Sequence, residues 1–120
     1  MASILVVEDD SDLRKLIRLR LERTGHTVEE AATGEEALGL VSQNPYGLVV
    51  LDVQLPGFNG WEVARKLAAN PKTARSQILF ASVVEREDAP RDVAVRGWLA
   101  KPFAKKDFNR AVEEILDELG

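Results

Sequence analysis

Short β-branched runs alternate along this chain with longer stretches of 3.6-residue period, the pattern of strands that cross over through helices to parallel neighbours. The predicted strands are Ile4 to Val7, Thr27 to Ala31, Leu48 to Leu51, Ile78 to Ala81 and Trp98 to Ala100. Five such βα units make an α/β domain, a doubly wound five-stranded parallel sheet flanked by five helices, and 120 residues leave no room for a second module. Strands 1 and 3 are apolar without interruption and read as central, buried on both faces. The first helix is expected to start after an acidic cap at Asp10 or Ser11, to turn Leu13, Leu16, Ile17 and Leu21 to the sheet, and to stop at Gly25. Thr33 and Glu36 have capping-box spacing for the second helix, which Asn44-Pro45 ends. The third spans roughly Gly60 to Ala69, and the last shows Phe108, Val112, Ile115, Leu116 and Leu119 as one apolar stripe.

Composition removes several functions. Sixteen basic against twenty acidic residues give a net charge of −4, the wrong sign for a domain that grips nucleic-acid phosphates, so this chain alone is not expected to bind DNA or RNA. Without cysteine there is no disulfide, thiolate nucleophile or cysteine-ligated zinc. The apolar runs Ile4 to Val7 and Leu48 to Leu51 fall far short of the roughly 20 residues that span a bilayer, and no signal-peptide pattern precedes Ile4. A cytoplasmic protein without membrane contact is expected.

In an open parallel sheet the functional crevice lies beyond the carboxyl ends of the strands. Glu8, Asp9 and Asp10 follow strand 1, Asp52 follows strand 3, Ser82 closes strand 4 and Lys101 follows strand 5. Taken singly, each has an ordinary reading: a helix cap, a turn former, a solvated lysine. Together they bring complementary chemistry to four strand ends. Clustered carboxylates in a partly buried crevice call for a cation, and oxygen-only ligands favour a hard one such as Mg²⁺. A carboxylate beside that ion can act as nucleophile toward a phosphoryl group, whose oxygens the hydroxyl and the ammonium would hold.

The motifs Ile-Leu-Val-Val-Glu-Asp-Asp at 4 to 10, Leu-Asp-Val-Gln-Leu-Pro-Gly-Phe-Asn-Gly at 51 to 60, Ser82, and Lys101-Pro102-Phe103 resemble those of response-regulator receiver domains over the whole chain, 1–120. The resemblance implies a flavodoxin-like strand order of 2-1-3-4-5, with Asp52 as phosphoacceptor. It implies Mg²⁺ held by Asp9, Asp52 and the Gln54 backbone carbonyl, with Glu8 as the other acidic position. Ser82 matches the hydroxyl that follows the phosphoryl group, Lys101 the lysine tied to it, and Trp98 the switch aromatic. The bond before Pro102 is expected to be cis. The implied phosphodonor is a phosphohistidine on a sensor histidine kinase or phosphotransfer protein, and the implied output is control of a downstream effector, with a homodimer as a further arrangement. Such a domain catalyses only its own modification and is a switch, not an enzyme.

The chain departs from that pattern after Ser82. Lys101 follows it by 19 positions, with Pro90 between, so the fourth helix is expected to be cut to Ala89 to about Arg96, capped by Asp88. Val83 stands where a small residue is common. Trp98 has a second reading, an edge-strand residue packed under the last helix. His26 is read as a surface turn residue, and Lys105, Lys106, Glu113, Glu114, Asp117 and Glu118 as a solvated face or a partner surface. Leu19, off the apolar stripe of a basic first helix, suits docking of a kinase helix or is exposed by chance. Two competing functions remain: an aspartate-nucleophile phosphatase of the haloacid-dehalogenase type, which would carry its nucleophile after strand 1, and a receiver-shaped scaffold that binds without phosphorylation.

Overall fold

The computed structural model describes residues 2–119. It contains β1 (Ser3–Val7), α1 (Ser11–Arg23), β2 (Thr27–Ala31), α2 (Gly34–Gln43), β3 (Leu48–Leu51), α3 (Gly60–Ala69), β4 (Gln77–Ser82), β5 (Gly97–Ala100) and α4 (Lys105–Leu119), with a single 3₁₀ turn at Arg86–Asp88. All strands are parallel, in the order β2-β1-β3-β4-β5. Each helix must cross back over the sheet, so helices cover both faces and strand residues alternate between two cores. Leu5, Val7, Val49, Leu51 and Phe80 face Ala37 of α2 and Val63 and Leu67 of α3. Ile4, Val6, Leu48, Val50 and Leu79 face Ile17 and Leu21 of α1 and Phe108, Val112 and Ile115 of α4. That two-sided burial is why β1 and β3 are apolar without alternation.

The caps locate the helix starts. Asp10 accepts from the backbone N–H groups of Asp12 and Leu13 at the head of α1, and Thr33 accepts from Glu36 at the head of α2. Asn59 and Glu62 close a reciprocal capping box on α3. Two expectations for α1 and β2 need correction. Leu16 does not face the sheet; it is exposed, because Leu13, Ile17 and Leu21 alone fill the contact stripe and Leu16 stands about 100° round the helix from Ile17. His26 is not simply a surface turn residue: it is half-buried, and its Nδ1 accepts from the Ala2 N–H at 3.1 Å. The last stripe member, Leu119, and the side chain of Glu118 lie outside the described side chains.

The expected helix from Ala89 to Arg96 does not form, so among the described residues four α-helices flank the sheet rather than five. Ala89 precedes proline and is held extended (φ −62°, ψ 134°), which leaves only the residues from Pro90 to Arg96 before Gly97. Val93 and Val95 further disfavour a helix too short to stabilise its own nucleus. The segment instead makes turns, buries Val93 against the α3 side of the core, and is tied down by Arg65 Nε to Asp92 (2.7 Å) and Arg96 to Gln77 (3.1 Å). A cleft of about 180 Å³ remains between α3 and residues 92–96, lined by Leu67, Ile78 and Val93.

Candidate functional site

Because β1 and β3 are parallel neighbours with Val7 opposite Leu51, the next residues of each strand arrive together at the carboxyl edge. The Asp52 N–H donates to the Val7 carbonyl (3.1 Å), and the Glu8 N–H to that of Ala31 (3.0 Å), so the ladder fixes both carboxylates one step past the strands. From β5, Lys101 is delivered by its N–H donating to the Ser82 carbonyl (3.0 Å). Its ammonium then bridges the two acids, donating to Glu8 Oε1 and, at 2.8 Å, to Asp52 Oδ2. Glu8 and Asp52 are 3% and 5% exposed. Burying two such carboxylates is tolerable only with a counter-charge at hand. Burial raises the Glu8 pKa, the neighbouring Asp52 charge adds to it, and the ammonium and the Asp10 N–H oppose it. For Lys101 burial works against the charge, but hydrogen bonds and charge attraction from Asp52 and Glu8 outweigh it, so its pKa rises and the ammonium persists.

One carboxylate oxygen each from Glu8, Asp9 and Asp52 lie within 4.8 Å of one another, with Asp9 exposed to solvent. Three oxygen donors, one open to water and balanced by a single ammonium, fit a hard divalent ion that keeps part of its hydration shell. Asp10 is separated from this group by its work as the α1 cap. Gln54 lies in the turn after β3, where its N–H donates to Asp52 Oδ1 at 3.1 Å. Ser82 is fully buried at the end of β4, and its hydroxyl accepts from the Val84 N–H at 3.2 Å. Trp98 is half-buried, and its ring stacks on Trp61 of α3 (centroids 5.8 Å apart) and tilts against Phe80 of β4 (5.6 Å), rather than packing simply under the last helix. The Lys101–Pro102 bond is cis.

A model of the response regulator receiver domain family matches residues 4–113. The chain belongs to that family. Among relatives of this receiver, a Mycobacterium protein described as response regulator MprA is 38% identical over 115 residues, 94% of this chain and 50% of its own. The Streptomyces coelicolor transcriptional regulatory protein AfsQ1 is 46% identical over 67 residues, 56% of this chain and 30% of its own. The receiver thus spans about half, or less, of the length of these curated relatives. Among solved structures, the Vibrio cholerae chemotaxis response regulator CheY4 superposes with a TM-score of 0.89 at 26% identity, covering 96% of this chain and 98% of that one. Thermotoga maritima TrrA, solved in complex with Mg²⁺-BeF, gives 0.85 at 30% identity, with 96% and 99% covered.

Three parts of the receiver site were not legible in the sequence. Gly60 packs directly on the phosphoacceptor candidate's backbone: a Cβ there would stand 2.3 Å from the Asp52 carbonyl oxygen and 2.6 Å from Val53 Cα. Trp61, the next residue, ties the Asp52 loop to Trp98 through the aromatic cluster. Arg14 of α1 donates to the Glu8 carbonyl at 2.8 Å. The Gly-Phe-Asn-Gly run hinted at the first; nothing in the sequence spacing marks the other two.

Proposed function

We propose that this receiver, acting over its whole length as one unit, is a Mg²⁺-dependent phosphorylation switch with Asp52 as the phosphoacceptor. The observation that carries the reading is the Lys101 ammonium bridging Glu8 and Asp52 beside a third carboxylate at the carboxyl edge of a parallel sheet. Glu8, Asp9, Asp52 and the Gln54 backbone carbonyl would hold the ion. When bound, Mg²⁺ supplies charge neutralisation for the acidic crevice and for phosphoryl oxygens. An Asp52 carboxylate oxygen attacks the phosphorus of a phosphohistidine; the O–P bond forms as the P–N bond breaks, and its electron pair leaves on the imidazole nitrogen. Lys101 and Ser82 hold the transferred phosphoryl oxygens, so positioning and electrostatics provide the catalysis.

The donor is a sensor histidine kinase or phosphotransfer protein in the cytoplasm. Exposed Leu16 and Leu19 on α1 and Val83 beside Ser82 give it apolar anchor points. The output is an effector domain or partner protein, by analogy with the transcriptional regulators among the relatives, and Trp98 with Ser82 would carry the change. A homodimer is one such output. Incubation with Mg²⁺ and acetyl phosphate, followed by mass spectrometry, should add one acid-stable, base-labile phosphoryl group that Asp52→Asn abolishes. An Asp52→Asn protein that still gains it would sink the assignment. A wild-type chain that never gains it, from acetyl phosphate or from a phosphorylated kinase, would make the domain a phosphorylation-independent scaffold.

A further inference from the structure

The turn that carries Glu8 and Asp9 is held from outside the acid cluster. The Glu8 N–H is fixed by the Ala31 carbonyl of β2, and its carbonyl accepts from Arg14 Nη1 at 2.8 Å. The same guanidinium donates from Nε to Glu30 Oε1 on β2 at 3.0 Å. One helical turn on, Arg18 forms an ion pair with the other oxygen of that carboxylate, its Nε 2.8 Å away but not aimed along a hydrogen bond, and it donates from Nη1 to Glu22 at 3.1 Å. Arg14 thus holds one oxygen of Glu30 by a hydrogen bond, Arg18 attracts the other by charge, and Arg14 also reaches the Glu8 carbonyl. That carbonyl belongs to the peptide joining Glu8 to Asp9. Its direction therefore sets where the Asp9 carboxylate begins.

We propose that Arg14 is a positioning residue for the cation site: it fixes the Glu8–Asp9 peptide and so aims the Asp9 carboxylate, while Glu30, braced by Arg18, holds Arg14 in place. The proposal rests on reading Glu8, Asp9 and Asp52 as the Mg²⁺ carboxylates. Two effects of Arg14 on a bound cation have opposite signs, and this makes the idea testable. As a bare positive charge near the site, Arg14 repels Mg²⁺, and its removal would tighten binding. As a clamp it orients a ligand, and its removal would weaken binding, as loss of outer partners of metal ligands does by roughly 10–100-fold. Lysine keeps the charge but lacks the planar fork that reaches a carbonyl and a carboxylate together.

The test is calorimetric titration of the full chain with Mg²⁺, comparing wild type with Arg14→Gln, Arg14→Lys and Glu30→Gln, with Asp9→Asn as the reference for a lost ligand. Arg14→Gln and Arg14→Lys are expected to weaken Mg²⁺ binding by about tenfold. Glu30→Gln should weaken it by less, and its effect should not add to that of Arg14→Gln, since both break one chain of contacts. Amide hydrogen exchange at Asp9 and Asp10 should speed up in the same variants without Mg²⁺ present. Unchanged or tighter binding in Arg14→Gln, or wild-type binding in Arg14→Lys, would overturn the positioning role. If the wild type takes no Mg²⁺, or Asp9→Asn binds it as well as wild type does, the cation site itself falls and the proposal with it.

Discussion

Gly60→Ala should damage the site and the fold together, although alanine is the better helix former. The added Cβ would stand 2.3 Å from the Asp52 carbonyl oxygen and 2.6 Å from Val53 Cα, where real Cβ contacts essentially never fall below 3.0 Å. Both obstacles are backbone, so no rotamer change relieves them; α3 or the Asp52 turn must retreat by about 0.7 Å to reach that limit. Gly60 also donates its N–H to the Val53 carbonyl at 2.7 Å, and retreat stretches that bond. Overpacking of this kind costs about 1–3 kcal/mol, against at most ~1 kcal/mol gained in helix propensity, so net destabilisation of about 1–2 kcal/mol is expected. The matched control is Gly39→Ala on α2, where a Cβ meets nothing within 4 Å. That exposed helical position should gain about 0.5–1 kcal/mol. Urea denaturation of both variants reads these shifts as midpoints of opposite direction, with m unchanged. The Asp52 carboxylate moves with its backbone, and a displacement near 1 Å can cost roughly 100-fold in rate, so acetyl-phosphate labelling of Gly60→Ala should slow by at least about tenfold while that of Gly39→Ala stays at the wild-type rate. A Gly60→Ala protein as stable and as fast as wild type would refute the claim that α3 is seated on the Asp52 backbone.

Mg²⁺ should raise the thermal midpoint, by the equivalent of about 2.7 kcal/mol at 100 times its Kd, and a chelator or Asp9→Asn should remove the rise; a melting curve indifferent to Mg²⁺ would contradict the donor set. Tyr46, the one tyrosine, has its pKa pushed up to about 12 by burial, and the Glu29 carboxylate adds to the shift. A group raised above its unfolded value of 10.0 contributes stability that is complete below pH 10 and is lost as pH rises through about 12, so tyrosinate absorbance should stay low at pH 11 in the folded protein and Tyr46→Phe should flatten the alkaline fall in stability. Trp98→Ala should cost about 3 kcal/mol, the low end for a large aromatic because the ring is half-buried; Trp98→Phe should cost less and abolish most of the emission change produced by beryllofluoride with Mg²⁺, whereas a response carried wholly by Trp61 would make Trp98 a packing residue. Val84→Asn, which gives a water a partner beside Ser82, should shorten the life of the phosphorylated state in a base-lability time course, and an unchanged rate would place control of hydrolysis elsewhere.

What could be read from the sequence follows how local each cause is. The bounds of Leu48–Leu51 are legible because burial on both faces imprints directly on an unbroken apolar run, whereas in Thr27–Ala31, whose bounds also agree, only Ala31 is buried and the β-branched Thr27 and Val28 carry the signal. Caps at Asp10, Thr33 and Asn44 are decided by neighbours within four residues. The Glu8–Asp52–Lys101 group was legible for a different reason: in a parallel sheet every carboxyl end lies on one edge, so residues far apart in sequence are sorted to the same place by topology alone. Leu16 is exposed against expectation because a helical stripe says which side is apolar but not how wide the opposing surface is. Arg14, Gly60 and Trp61 act through contacts that only the packed sheet creates.

The missing fourth helix joins these two kinds of cause. Pro90 and the valines that follow forbid the helix locally, but what takes its place is tertiary: Trp98 leans on Trp61 and Phe80, and Val93 plugs the core next to them. Trp61 opens α3 immediately after Gly60, whose own N–H is bonded to Val53 beside Asp52. On the proposed switch reading, a shift of the Asp52 turn would reach Trp98 through one peptide and one ring stack. The exposed pair Arg65–Asp92 then ties the helix carrying Trp61 to the segment leading into β5. If Asp52 is phosphorylated as proposed, the face coupled to it by these contacts is α3 with residues 86–98, and an effector that reads the switch would be expected to touch that face or the tryptophans beneath it.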